Sequence, residues 1–396
     1  MEAKQKTYGY AVKKDGRDML LDSWEVNGTN KSDMIRYLRS IDNMTKLFPA
    51  SSDSIEIFTV NCIEDNSIVG FRHGSVYGTS TDLLSISKLA KLDGMTEEIL
   101  SETINDSKMI LKVGNDTFFT SKKILTTLSQ RAGSSISKLV KEDDMNIRFH
   151  RDAAYVSYMS MYPSRCNILT RKYANAKKIL AIFTDRYTVI SQSGIIENLI
   201  NIFEKKFGKS TVYYKINNFM TEINIEFPNA YSFKSKESVV PGIRVVMSDT
   251  GDAVFSITAT IRIRTGLSYI PGAYYTRKHT LNASVNEITE EASDVIIPEI
   301  QNTENIIERL SKIEIKDMET VIKKTLNGCG LKSSISAKVH KDTLSYIMES
   351  VPQSGTAFDV ACSIVEACDY MAESSCDLSS EKFRTCSAKS IFCKYA

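Results

Sequence analysis

The stretch IRVVMSDTGDAVFSITATIRIR, residues 243–264, decides how the rest of the chain is read. Asp249-Thr250-Gly251-Asp252 separates two runs of β-branched and apolar residues, a pattern that favours a tight hairpin turn. In the second run Phe255, Ile257, Ala259, Ile261 and Ile263 share one face of a strand. Ser256, Thr258, Thr260, Arg262 and Arg264 share the other, because strand side chains alternate with a period of two. One face is built to pack, and the other carries hydroxyls and guanidinium groups.

Working outward, Thr211–Asn217 and Phe219–Phe227 read as two more strands, with Asn217-Asn218 as their turn. Before them Ser193 opens a helix holding Ile195, Ile196, Leu199, Ile200 and Phe203, and Gly208 stops it. Ile179, Ala181 and Phe183 form a strand running to Asp185-Arg186-Tyr187. The chain is therefore expected to be α+β. Its predicted centre, residues 101–284, is an antiparallel sheet with helices packed on one face. A small N-terminal α+β unit, residues 1–100, is expected to contain a helix with Met34, Ile35, Leu38 and Ile41 on one side and a strand at Ile55–Thr59. Residues 81–145 read as mostly helical, with Thr81-Asp82 and Ser121 as caps. Residues 285–396 read as helical and acidic, including a helix capped by Thr356.

The 396 residues carry 50 basic and 48 acidic side chains. The charge is uneven: residues 171–280 hold 16 basic against 8 acidic, and residues 281–396 hold 12 against 18. A basic middle beside an acidic tail can bind a polyanion locally. Alternatively, the tail packs on the middle and neutralises it. No run of eighteen apolar residues occurs, so no membrane span is expected. The opening Met-Glu-Ala-Lys-Gln-Lys lacks the apolar stretch of a signal peptide, and a cytoplasmic location with reduced thiols is expected.

Motifs for defined chemistry are weak. Gly208-Lys209-Ser210-Thr211 resembles the end of a phosphate-binding loop, but Phe203 stands where the motif needs glycine, and a helix leads into it. Six of the eight cysteines fall in the last 68 residues without a C-x2-C pair, so no structural zinc is expected. His73, His150, His279 and His340 are scattered and read as surface or loop residues. Ser268 lacks the second glycine of a nucleophile elbow. Asp143-Asp144 and Glu290-Glu291 read as solvated neighbours. No catalytic cluster, cofactor or metal is expected.

The stronger constellation mixes cations with aromatic rings. Arg171, Lys172, Tyr173, Lys177 and Lys178 precede the first central strand, and Arg186 and Tyr187 follow it. Arg262 and Arg264 line the polar strand face, followed by Tyr269, Tyr274, Tyr275, Arg277 and Lys278. Cations that neutralise phosphates and rings that stack on unpaired bases hold single-stranded nucleic acid. In the other reading, which stays open, the tyrosines belong to the core and the arginines to surface ion pairs.

Several segments resemble a phage- and plasmid-borne family catalogued as domain of unknown function 932. Arg171 with LAIFTDRYTVI (180–190) is similar to its segment in which an arginine is followed by a strand ending in Ser-Asp-Arg-Tyr. Phe118–Gly133 is similar to one of its helices. Gly242–Ser248, Gly251–Ala253 and Ile261–Arg264 are similar to its hairpin, and Gly355–Glu366 to its C-terminal helix. The resemblance spans about 105–390. Thr265-Gly266 stands where the family usually has Cys-Asn, and Cys362-Ser363 where it has Asn-Ala. The resemblance implies a mobile element, such as a phage. By fold-level analogy its core is similar to that of single-strand annealing recombinases. The expected function is therefore single-stranded DNA binding, with annealing or recombination by a homo-oligomer. The alternative is a non-catalytic phage structural or anti-host module with a protein partner.

Overall fold

The computed structural model describes residues 16–64, 67–74, 79–132, 144–231, 239–263, 266–279, 284–328, 337–349, 351–374, 386 and 388. The chain is α+β, built around two large sheets. The first holds eight strands in the order β2-β8-β9-β7-β6-β3-β4-β5. These are β2 (Thr45–Ser51), β3 (Ile55–Glu64), β4 (Ser67–His73), β5 (Thr79–Ser85), β6 (Met109–Val113), β7 (Asp116–Thr120), β8 (Arg165–Tyr173) and β9 (Ala176–Thr184). The second holds six antiparallel strands in the order β1-β10-β11-β12-β13-β14. These are β1 (Glu25–Gly28), β10 (Thr211–Asn217), β11 (Thr221–Glu226), β12 (Val239–Met247), β13 (Phe255–Ile263) and β14 (Gly266–Arg277).

The eight-stranded sheet lies between helices on both faces. Ile55 and Ile57 of β3 pack with α4 (Ile124–Arg131) and α5 (Met145–Met161), while Phe58 and Val60 pack with α2 (Ile86–Asp93) and α3 (Glu97–Ser107). The boundary expected at residue 100 runs through this one sheet, since β3 pairs with β6 and β2 pairs with β8. Two local expectations are corrected here. Thr79–Ser85 is a strand rather than a capped helix, and Ser85 instead caps α2 by accepting from Lys88 N. Residues 109–120 form the β6–β7 hairpin, turning through Gly114 at φ +61° and Asn115.

The six-stranded sheet has one packed face. Phe255, Ile257, Ala259, Ile261 and Ile263 are all buried there, against α1 (Lys31–Met44), α6 (Gln192–Phe207), α7 (Val285–Leu310) and α10 (Ala357–Ser374). Burying each large side chain contributes about 1.5–3 kcal/mol, which fixes the register of the strand. α6 begins where Ser191 Oγ accepts from Gly194 N and where Asp42 accepts from Gln192 N and Ser193 N. It ends at Gly208, whose φ of +85° suits a residue without Cβ. α10 opens with a reciprocal cap: Thr356 Oγ1 donates to Asp359 Oδ2, and Asp359 N donates back to Thr356 Oγ1. The C-terminal region also includes α8 (Met318–Gly328) and α9 (Ala337–Met348).

Candidate functional site

The basic and aromatic residues of the sequence reading do not gather on one surface. Arg171, on β8, is 2% exposed and sits at the seam between the two sheets. Its Nη1 donates to Asn218 Oδ1 and its Nε to Thr45 Oγ1. Burial pulls its pKa down to about 10 against the opposing pull of Asp249, Asp42 and Asp22. Lys178 is fully buried, with Nζ 2.8 Å from Asp22 Oδ1 and 2.7 Å from Asp106 Oδ2. Tyr187 stacks on Phe183 and His279 and donates its hydroxyl to the Asp249 carbonyl at 2.6 Å. Burial pushes its pKa far above the usual phenol value.

Other members are paired closer to the surface. Lys177 pairs with Asp116. Arg262 Nε donates to Glu226 Oε1 at 2.6 Å, and its guanidinium lies over the Tyr213 ring. Burial lowers the Arg262 pKa, but hydrogen bonding and charge from Glu226 outweigh it and the net direction is up. Tyr275 donates to Glu291 Oε2 at 2.6 Å, and Arg277 Nη1 donates to the same oxygen at 2.8 Å. Arg264 lies outside the described residues. Lys172, Arg186, Tyr274 and Lys278 are exposed, and none of the three cations has an ion-pair partner among the described residues. Lys172 and Arg186 flank opposite ends of the β8–β9 hairpin, roughly 30 Å apart at strand rise. A single basic patch over residues 171–278 is thus replaced by a buried seam and a few separate surface charges.

The seam draws on five segments of chain. Besides Arg171, Asn218 and Tyr187, it contains Gln192, whose Nε2 donates to Asp249 Oδ2, and Thr221, whose Oγ1 donates to Gln192 Oε1. Asp249 is buried, and desolvation raises its pKa; burial lowers that of His279. Asp249 Oδ1 and His279 Nε2 are buried without a hydrogen-bond partner among the described residues. Arg171, Asp185–Tyr187 and Ser248–Gly251, which carry much of the sequence resemblance, meet at or beside this seam. A second interior network joins β3, β4 and α5. Thr59 Oγ1 donates to Asp152 Oδ2 at 2.7 Å and contacts His73 Nε2 at 2.9 Å, while Arg151 Nε donates to Asp152 Oδ1 at 2.8 Å. His73 is therefore an interior group and not a surface one, whereas His279 is half-buried in the loop after β14. Both networks lie largely in the interior and fasten elements together.

The remaining motif readings resolve as follows. Gly208 caps α6, and Ser210 N and Oγ donate to Glu204 Oε1, so a carboxylate occupies the place a phosphate would need. Cys362 and Cys368 are buried on α10, whereas Cys329, Cys376 and Cys393 lie outside the described residues. Asp144 caps α5 and Glu291 binds Tyr275 and Arg277, so neither is merely solvated. Among the described residues, no group of three or more His, Cys, Asp or Glu side chains is placed to hold a metal ion. Nor is any helix of these residues long and apolar enough to cross a membrane.

The outward face of the six-stranded sheet has different properties. Cross-strand register places Tyr213, Asn224, Arg244, Thr258 and Tyr274 in one row over five strands. Tyr213 is 42% exposed and Tyr274 62%. At four inter-strand steps they stand roughly 19 Å apart. The end of α6, which packs on the opposite face of the sheet, and the turn into β10 present Lys205, Lys206 and Lys209, exposed and without ion-pair partners among the described residues. Beyond Tyr274 on β14, Thr276 and Lys278 are also exposed. Tyr213 and the three lysines were missed in the sequence reading. The signal was the alternation TVYYKIN (211–217), in which Val212, Tyr214 and Ile216 point inward and Thr211, Tyr213 and Lys215 outward.

No family model matches the chain, and comparisons with curated proteins and with solved structures gave no match.

Proposed function

We propose that this chain binds single-stranded DNA on the outward face of its six-stranded sheet. The observation that carries the reading is the exposed row ending in Tyr213 and Tyr274, in a sheet whose ends also present exposed lysines without ion-pair partners among the described residues. Tyr213 and Tyr274 stack on bases, Asn224 and Thr258 between them offer polar edges, and Lys205, Lys206, Lys209 and Lys278 meet phosphates. In this reading the protein is a cytoplasmic, phage-type homo-oligomer acting in annealing or recombination, with no catalytic step of its own.

Fluorescence anisotropy with a labelled oligonucleotide tests it. Stacking worth about 1–3 kcal/mol per base predicts that Tyr213→Ala with Tyr274→Ala weakens binding at least tenfold. Lys205→Ala, Lys206→Ala and Lys209→Ala together should lower the slope of log affinity against log salt by about 2, at about 0.7 per phosphate contact. Absence of binding by the native protein at low salt overturns the reading.

A second reading, a non-catalytic protein-interaction module, is favoured by the charge balance of the same face. There Lys215 lies 3.4 Å from Glu25, Arg244 2.9 Å from Glu222, and Arg262 also pairs with Glu226. A face so balanced suits a polypeptide better than a bare polyanion. Light scattering with and without DNA separates the two, since an assembly indifferent to DNA fits only the second.

A further inference from the structure

We infer that α5 pairs with the α5 of a second copy of this chain, giving an exchanging antiparallel dimer. The inference deepens the homo-oligomer of the reading above and rests on it. It does not involve the DNA face, since α5 covers the eight-stranded sheet. The helix reverses the usual polarity of a surface helix, which turns its charges outward and its apolar stripe inward. Its three charged side chains, Arg148, Arg151 and Asp152, are all buried, and Arg151 and Asp152 belong to the interior network with Thr59.

What α5 presents to solvent instead is Asn146, His150, Ser157, Tyr158 and Met161, with half-buried Ala153 and Ala154 in the same stripe. No Lys, Arg, Asp or Glu lies among them. By contrast, α2 exposes Lys88 and Lys91, and α3 exposes Glu98 and Glu102. At the end of α5, Met161 is 68% exposed and Tyr162 59%, and the Tyr158 and Tyr162 rings lie 4.9 Å apart. A neutral surface carrying Tyr and Met has the composition of an interface core, not of ordinary protein surface.

The shape and charge of this stripe fit a second copy. Without a cation it has nothing to hold phosphate, and a charged peptide would lose hydration there without gaining a counter-charge. Small residues, Ala153, Ala154 and Ser157, stand at its middle, and the bulky ones at its C-terminal end. Two copies related by a twofold axis near Ala154 run antiparallel. Tyr158, Met161 and Tyr162 of each then lie over the Asn146–Ala154 half of the other, and the small side chains at the crossing let the axes approach within about 8–10 Å. The same arrangement brings Asp144, at the N-cap of one α5, opposite Arg165, just past the end of the other. Both are exposed, and Arg165 has no ion-pair partner among the described residues. The helix dipoles also oppose each other. One helix pair is a small interface, below about 1,200 Å² in total, so the dimer should exchange with monomer at micromolar concentrations.

Sedimentation equilibrium of the full-length protein without DNA tests it, over a concentration series of about 1–200 μM. The native mass should rise from one chain toward two. Ser157→Glu and Met161→Glu each bring like charges together at the interface and should raise the dimer dissociation constant at least about tenfold. Arg165→Glu, at the rim opposite Asp144, should raise it about threefold at low salt, an effect that fades near 1 M. Ser87→Glu, exposed on α2, controls for added charge and should leave it within about 1.5-fold of native. A native protein that sediments as one chain throughout overturns both this inference and the homo-oligomer. Native association that Ser157→Glu and Met161→Glu weaken no more than Ser87→Glu does overturns this inference alone. Thermal melting of each variant confirms that the fold is retained, and Ser157→Glu gives an independent reading should Met161→Glu melt early.

Discussion

The seam between the sheets and the outward face of the six-stranded sheet use the same residue types to opposite effect. At the seam Arg171 and Asp249 are buried and Tyr187 half-buried, joined by hydrogen bonds across the two sheets. On the outward face Tyr213 and Tyr274 are exposed, with the Arg262 guanidinium over the Tyr213 ring. A guanidinium or a phenol in a strand therefore says little about function until its partners are known. Those partners come from far along the chain: Lys178 meets Asp22 and Asp106, and Arg171 meets Asn218.

The contrast can be broken most forcefully at the seam. Arg171→Met leaves Asp249 and Asp42 without their buried counter-charge and Asn218 Oδ1 without its donor. It should cost about 3–5 kcal/mol in urea denaturation. If it costs less than about 1 kcal/mol, the seam is not the fastening described. Next in size, Tyr213→Ala with Tyr274→Ala should lose oligonucleotide affinity yet cost less than about 1 kcal/mol per site in stability. A collapse of the fold in that variant would place the two rings with the core instead.

A pH series sharpens the difference between buried and open groups. Burial lowers the His73 pKa against an opposing pull from Asp152. The unfolded chain therefore binds more protons than the folded one as pH falls through the unfolded value of about 6.5, and stability should drop on acidification. His73→Asn should flatten that slope between pH 7.5 and 5, whatever its effect on stability at neutral pH. An unchanged slope would remove His73 from the acid response. The smallest effects belong to isolated surface cations: Lys172→Ala should stay within about 0.5 kcal/mol of native stability and leave oligonucleotide affinity unaltered.

Much of the six-stranded sheet was legible because its strands alternate cleanly and its turns use strong turn residues. The 249–252 turn, the Gly208 stop and the Thr356 cap all follow from local chemistry. Of the eight-stranded sheet, the strands at Ile55 and at Ile179 were legible and most of the rest was not. Thr79–Ser85 is a strand because it pairs with β4, and its run of small polar residues followed by leucines fits a helix start equally well. The β6–β7 turn at Gly114-Asn115 was a readable hairpin signal that the surrounding helical spacing hid. The site was harder still. Tyr274 and Lys278 are exposed, but burial of Arg171 and Lys178 depends on carboxylates and amides more than forty residues away.

Photo-crosslinking of the native protein to single-stranded oligothymidine, with the modified peptides mapped by mass spectrometry, tests the central claim most directly. Adducts on Tyr213 and Tyr274, and none on Tyr187, are the predicted result. Adducts on Tyr187 with Tyr213 and Tyr274 unmodified would contradict the account, because the DNA would then reach the seam and not the open face.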